Sequence, residues 1–163
     1  IASPPMVKLE AGAQQQFRVM RVKPSDKQTE EAYRLIVDEL PSPNAKPQKG
    51  IQLVMRYSLP LFVNVQNNAE PKLQWRAEKT ANGKTVLVAE NTGNAHAQLS
   101  NITFQTTSAK DALTLASGLA GYVLPGNTWK RELEVSPAYL NPGRLNATVN
   151  GMPIQTEVRF AAP

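Results

Sequence analysis

His96 is the one histidine among 163 residues, and cysteine is absent. Side chains that bind metals, shuttle protons or attack carbonyls are therefore scarce. A single imidazole cannot build a multi-histidine metal site, and the lack of thiols excludes thiolate–metal centres, disulfides and cysteine nucleophiles. A Ser-His-Asp arrangement would have one candidate base. His96, however, lies in Gly93-Asn-Ala-His-Ala97, a turn-like stretch expected to be exposed, which argues against a catalytic role. The neighbouring carboxylates Glu30-Glu31 and Asp38-Glu39 would point to opposite faces of a strand, so neither forms an acid–base pair. No phosphate-cradling glycine loop is present. The expectation is a non-enzyme with no catalytic residues, no metal site and no cofactor.

Composition narrows the partners. The 18 Lys and Arg give a formal net charge of +5, but they are scattered. No basic helix or tract with interleaved aromatics appears, so nucleic acid is not an expected partner. No apolar stretch approaches the roughly 20 residues of a membrane-spanning helix. At 41% hydrophobic and 19% charged the chain is globular in composition, and 13 Pro with 9 Gly suit a loop-rich all-β protein.

One stretch stands apart, Ile51-Gln-Leu-Val-Met-Arg-Tyr-Ser-Leu-Pro-Leu-Phe-Val63. Ile51, Leu53, Met55, Tyr57, Leu59, Leu61 and Val63 share one parity, so an extended strand would carry a continuous apolar row on one face. The run is roughly twice the usual strand length of about 5–6 residues. Pro60 would cost a central strand a ladder hydrogen bond, which places the strand at a sheet edge. Soluble proteins normally avoid a long, apolar, open edge. Either a neighbour covers it, or it exists to pair with another chain, a second copy included.

The remaining segments read as strands and turns. Met6–Leu9 and Gln15–Val22 are expected strands. Glu30 to Leu40 has helix-favouring Glu, Ala and Leu, but Tyr33, Leu35 and Val37 alternate and Pro41 ends the run, so a strand is expected. The proline-rich 41–50 joins it to the long strand, and the polar 64–71 is the best domain boundary. Beyond it, Lys72–Ala77 and Lys84–Glu90 flank an Asn82-Gly83 turn. Strands are expected over Ala97–Thr106 and Thr128–Val135, with a strand broken by Gly118 and Gly121 over Leu113–Leu124. Leu145–Asn150 and Ile154–Phe160 form a closing hairpin around Gly151. Frequent short strands with turn signals indicate a sandwich.

Four stretches in combination resemble the periplasmic pilus-assembly chaperones of the chaperone–usher pathway, the PapD-like family. They are Ala2-Ser-Pro-Pro-Met-Val-Lys-Leu-Glu-Ala-Gly12 with Phe17-Arg18; Glu30 to Pro41; Gly50 to Val63; and the group Val88-Ala-Glu-Asn91, Leu99-Ser-Asn-Ile102 and Val123-Leu-Pro-Gly126. Glu31-Ala-Tyr-Arg-Leu35 with Met55 to Val63 is similar to the archaic branch of that family. The resemblance implies two immunoglobulin-like β-sandwich domains. Residues 1–66 would be the C-terminal part of the first, lacking its opening strands, and 67–163 the second. About 65 residues precede the boundary, against roughly 100 for a complete sandwich. The sequence, opening on Ile1, is thus expected to be a processed or partial chain.

The resemblance also implies a function. Such chaperones bind pilin subunits in the periplasm by lending a donor strand to an incomplete fold, and pass them to an outer-membrane usher. By position the donors here are Ile51, Leu53 and Met55, with Tyr57 as an extension. The family anchors the subunit's C-terminal carboxylate with an Arg of the first strand and a Lys of the donor strand. Pro60 stands at the Lys position, so another cation must serve, and Arg56, of the same parity, is the candidate. Glu30 matches the acidic member of the family's interdomain ion network. Asn64 stands where that network has Arg, and Asn150 lies near its Asp, so domain orientation is expected to rest on other contacts. The alternative is a generic immunoglobulin-like adhesion or structural module with a self-satisfied edge and no client.

Overall fold

The computed structural model describes residues 1–24, 28–41, 51, 53–63, 67–106, 112–133 and 143–159. Eleven strands and no helix occur among them, hence no helix long and apolar enough to cross a membrane. The all-β expectation follows from the alternation of small β-formers with Gly and Pro turns, and the fold has that class.

The larger unit is a seven-stranded sandwich. Strands β5 (Leu73–Lys79), β6 (Thr85–Asn91) and β9 (Thr128–Leu133) form one sheet in the order β5-β6-β9. Strands β7 (Ala97–Thr106), β8 (Leu113–Val123), β10 (Gly143–Val149) and β11 (Met152–Val158) form the other, in the order β11-β10-β7-β8. This three-plus-four antiparallel arrangement is immunoglobulin-like. Its core is built from alternate residues of both sheets: Ala77, Leu87, Ala89 and Leu133 on one side, and Leu99, Ile102, Phe104, Leu115, Val123, Leu145, Ala147 and Val158 on the other. Each large apolar side chain removed from water stabilises the fold by about 1.5–3 kcal/mol. Trp75 and Trp129 meet edge to face at 6.3 Å near the margin of this core.

The turns follow local chemistry. Gly83 (φ 77°) closes the β5–β6 hairpin, its N–H donating to the Thr80 carbonyl at 2.9 Å. Asn150 (φ 49°) and Gly151 (φ 81°) close the β10–β11 hairpin, the pairing that a two-residue turn with positive φ demands. Gly118 and Gly121 do not break β8. Opposite them the β7–β8 register shifts, and the Asn101 side-chain oxygen accepts from the Gly118 N–H at 2.9 Å. The glycines bend a continuous strand rather than ending it.

Ahead of the sandwich, the described residues up to Val63 form two separate strand pairs. β1 (Ala2–Ser3) pairs with β2 (Arg18–Val19), and β3 (Glu31–Asp38) pairs with β4 (Arg56–Val63). Three expectations are corrected here. Met6–Leu9 is not a strand, and its residues are exposed. Gln15–Val22 contributes only the two-residue β2. The long strand begins at Arg56, not Ile51. The Glu39 N–H donates to the Met55 carbonyl and its carboxylate accepts from the Met55 N–H, and no backbone pairing is described upstream of these bonds. Among the described residues, Ile51, Leu53 and Val54 have no backbone partner to hold them in a ladder.

Candidate functional site

The β3–β4 ribbon has two chemically distinct faces, set by its register. Tyr33↔Leu61, Leu35↔Leu59 and Val37↔Tyr57 lie on one face; Ala32↔Phe62, Arg34↔Pro60, Ile36↔Ser58 and Asp38↔Arg56 lie on the other. Among the described residues β4 pairs with β3 alone, so its second edge is open. The apolar row expected from the sequence is uncovered at its N-terminal end. Ile51 is 92% exposed, Leu53 84%, Met55 53% and Tyr57 51%. Leu61 and Val63, at the other end, are half-buried.

Arg56 does not stand free. Its guanidinium forks onto Asp38, with a second nitrogen donating to Oδ2 at 2.9 Å. That hydrogen bond holds the Asp38 carboxyl below the ordinary carboxylate range, partly opposed by desolvation. The pairing is therefore present at neutral pH and is lost only as pH falls through the lowered value. Arg34, directly across from Pro60, is exposed and makes no ion pair among the described residues. On the apolar face, Arg21 and the Tyr33 hydroxyl both bond Glu31 Oε2, at 2.9 and 2.7 Å. Donation to that carboxylate pushes the Tyr33 phenol up from its usual value.

Glu30 turns away from this site. Its side chain is 2% exposed, and Oε1 accepts from the His96 N–H at 3.0 Å and lies 2.7 Å from His96 Nδ1. The adjacent pair Glu30-Glu31 thus serves two unrelated partners, as opposite-facing carboxylates should. His96 is half-buried, which corrects the expectation of exposure: Phe62 stacks on its imidazole with ring centroids 3.6 Å apart and 11° between planes. Tyr122 leans on both rings at 5.3 and 5.9 Å. Asn150 donates its Nδ2 to the His96 carbonyl at 3.2 Å. Asn64 lies outside the described residues. Nothing local announced the Phe62–His96–Tyr122 cluster; the signal available was Glu30, a carboxylate just ahead of an apolar strand that would need a partner if buried. Among the described residues, no group of three or more His, Cys, Asp or Glu is placed to hold a metal ion.

Comparison with known proteins bears on this arrangement. Residues 1–67 match the family model described as pili and flagellar-assembly chaperone, PapD N-terminal domain. No curated protein matches the sequence. Among solved structures, a chain of the CsuC–CsuE chaperone–tip adhesion subunit pre-assembly complex, from archaic chaperone–usher Csu pili of Acinetobacter baumannii, is similar. It is 28% identical with a TM-score of 0.62, over 99% of this chain and 74% of that one. A chain of a chaperone–tip adhesin complex of CFA/I fimbriae biogenesis shares the fold at 18% identity and a TM-score of 0.54, over 99% and 72% of the two chains. The part that carries the ribbon thus matches the PapD N-terminal family model, and along nearly its whole length the chain is similar in fold to a chain of an archaic chaperone–subunit complex.

Proposed function

We propose that this chain is a pilus chaperone of the chaperone–usher kind, which binds pilin subunits in the periplasm by strand donation, inserting Ile51, Leu53, Met55 and Tyr57 into a subunit whose own fold lacks a strand, and hands them to an outer-membrane usher. The role is that of a binding protein, not an enzyme. The observation that carries the proposal is the exposure of a same-parity apolar row, 84% at Leu53 and 92% at Ile51, leading into a strand whose second edge has no partner among the described residues. A strand added there would bond main chain to main chain, and each inserted side chain would contribute about 1.5–3 kcal/mol by burial. Met55, unbranched and polarizable, suits grooves of differing shape. The likeness to a chain from an archaic chaperone–subunit complex supports that branch and that class of partner. In the absence of a subunit, the same open edge would pair with a second copy of the chain.

The test is co-expression of the full-length protein with a candidate pilin, followed by copurification. Leu53→Asp should weaken the complex about 100-fold or more, roughly 3 kcal/mol, because a carboxylate would be driven into an apolar groove. Ser117→Asp, on the exposed outer surface of β8, should leave it intact. Survival of the complex with Leu53→Asp would rule out insertion here and favour a generic immunoglobulin-like module.

Subunit anchoring passes from Arg56 to Arg34 in this proposal. Arg56 is engaged by Asp38, whereas Arg34 sits across from Pro60 without an ion pair among the described residues. A peptide copying the pilin C-terminus should bind about tenfold more weakly to Arg34→Ala, the value of one charge-assisted hydrogen bond. The same peptide with an amidated end should show no such difference. Equal weakening of both forms would remove Arg34 from carboxylate recognition.

A further inference from the structure

Four segments far apart in sequence converge on one small contact: Glu30 just ahead of β3, Phe62 in β4, His96 just ahead of β7 and Tyr122 in β8. Two belong to the ribbon and two to the sandwich. Burying a carboxylate costs several kcal/mol unless it is well paired, so a glutamate with its side chain 2% exposed needs a compensating partner. That partner is His96, through both its backbone N–H and its ring Nδ1. None of the four residues belongs to the buried cluster that forms the sandwich core.

The geometry restricts motion in two complementary ways. The Glu30–His96 bonds, with the Glu30 N–H donating to the Asn94 carbonyl at 2.8 Å, fix a distance but leave rotation about the bonded axis. The Phe62 ring, 3.6 Å from the imidazole and nearly parallel to it, fixes a plane. Asn150 ties the His96 carbonyl, and its own N–H donates to the Gln98 carbonyl at 3.0 Å, so the histidine is held from behind by the β10–β11 turn. A distance and a plane together define an orientation; either alone does not.

We infer that His96 is a positioning residue, the lock that sets the angle at which the β3–β4 ribbon leaves the sandwich. It does so by joining one buried glutamate side chain to an aromatic stack. The orientation itself is independent of what the ribbon binds. Its consequence, that the row from Ile51 to Tyr57 is presented to a subunit in one direction, rests on the strand-donation proposal.

The absence of native cysteine allows nitroxide labels at Ile36→Cys on the ribbon and Met152→Cys on the sandwich, both exposed. Double electron–electron resonance on the otherwise wild-type chain should give a single narrow distance. His96→Ala should broaden it at least about twofold as several arrangements become populated. His96→Phe retains a ring for Phe62 without the side-chain bond to Glu30, and His96→Asn retains a side-chain donor without the stack; each should broaden the distribution to an intermediate width. Trp75 and Trp129 both lie in the sandwich, so their fluorescence should report unchanged cooperative melting in all three variants. A distribution as narrow as wild type in His96→Ala overturns the inference. So does broadening that is matched by loss of the cooperative melt, since that would be general loosening. Leu53→Asp in the labelled chain separates the two ideas. It should leave the width unchanged, and if it also leaves pilin capture intact while His96→Ala still broadens the distance, strand donation fails and the lock stands.

Discussion

Asn91→Ala is expected to lose about 3–5 kcal/mol of stability, a large share of the roughly 5–15 kcal/mol that holds a domain folded. Asn91 is fully buried at the end of β6. Its Nδ2 donates to the Ala95 carbonyl at 2.7 Å and the Val123 carbonyl at 2.9 Å, while Oδ1 accepts from the Lys72 N–H at 3.1 Å and the Gly93 N–H at 3.0 Å. One side chain thereby satisfies backbone groups at the start of β5, in the β6–β7 turn and at the end of β8. Truncation leaves those groups without their partner, and each buried orphan costs about 1–3 kcal/mol. Urea unfolding followed by tryptophan fluorescence measures the loss. Asn91→Asp should be no better, because it turns a carboxylate oxygen toward two carbonyl oxygens and buries a charge. A loss below about 1 kcal/mol for Asn91→Ala would mean that water replaces the side chain, and the turn does not depend on it.

Gly143→Ala should destabilise by about 3 kcal/mol, at the upper end of the usual cost of overpacking. Gly143 opens β10 opposite Thr106 and Val158, and its backbone conformation is an ordinary one. The constraint is space. A Cβ there would overlap the Phe104 ring, 2.6 Å from Cε2 and 2.7 Å from Cε1. Phe104 is 2% exposed within the core cluster and has no room to retreat. Adding Phe104→Leu to Gly143→Ala should recover part of the loss, so the double mutant is less destabilised than the sum of the singles, with a coupling of about 1–2 kcal/mol. Strict additivity would show that the methyl group does not meet that ring.

How much of this was legible beforehand depended on the range of the forces involved. The strand Glu31–Asp38 was readable despite its helix-favouring composition, because Tyr33, Leu35 and Val37 alternate and Pro41 stops the run. The hairpins around Asn82-Gly83 and Asn150-Gly151 were readable because positive φ selects Gly83, Asn150 and Gly151 locally. The apolar row from Ile51 was readable as a row, yet its N-terminal end is not a strand, since pairing needs a neighbour that no local pattern supplies. Gly118 and Gly121 looked like a break and are a bend, because the long partner β7 keeps β8 extended through shifts of register.

Alternation and turn residues were therefore enough to establish an all-β fold with a same-parity apolar row from Ile51 to Val63; those properties depend on neighbours within a few positions. The tertiary structure alone decided that Arg56 is taken by Asp38, that Gly143 exists to make room for Phe104, and that His96 is gripped between Glu30 and Phe62. The last pairing joins residues 66 positions apart with Glu30. A lone histidine between alanines has no local signature of such a partner, because the stacking and the buried hydrogen bonds come into being only when ribbon and sandwich meet.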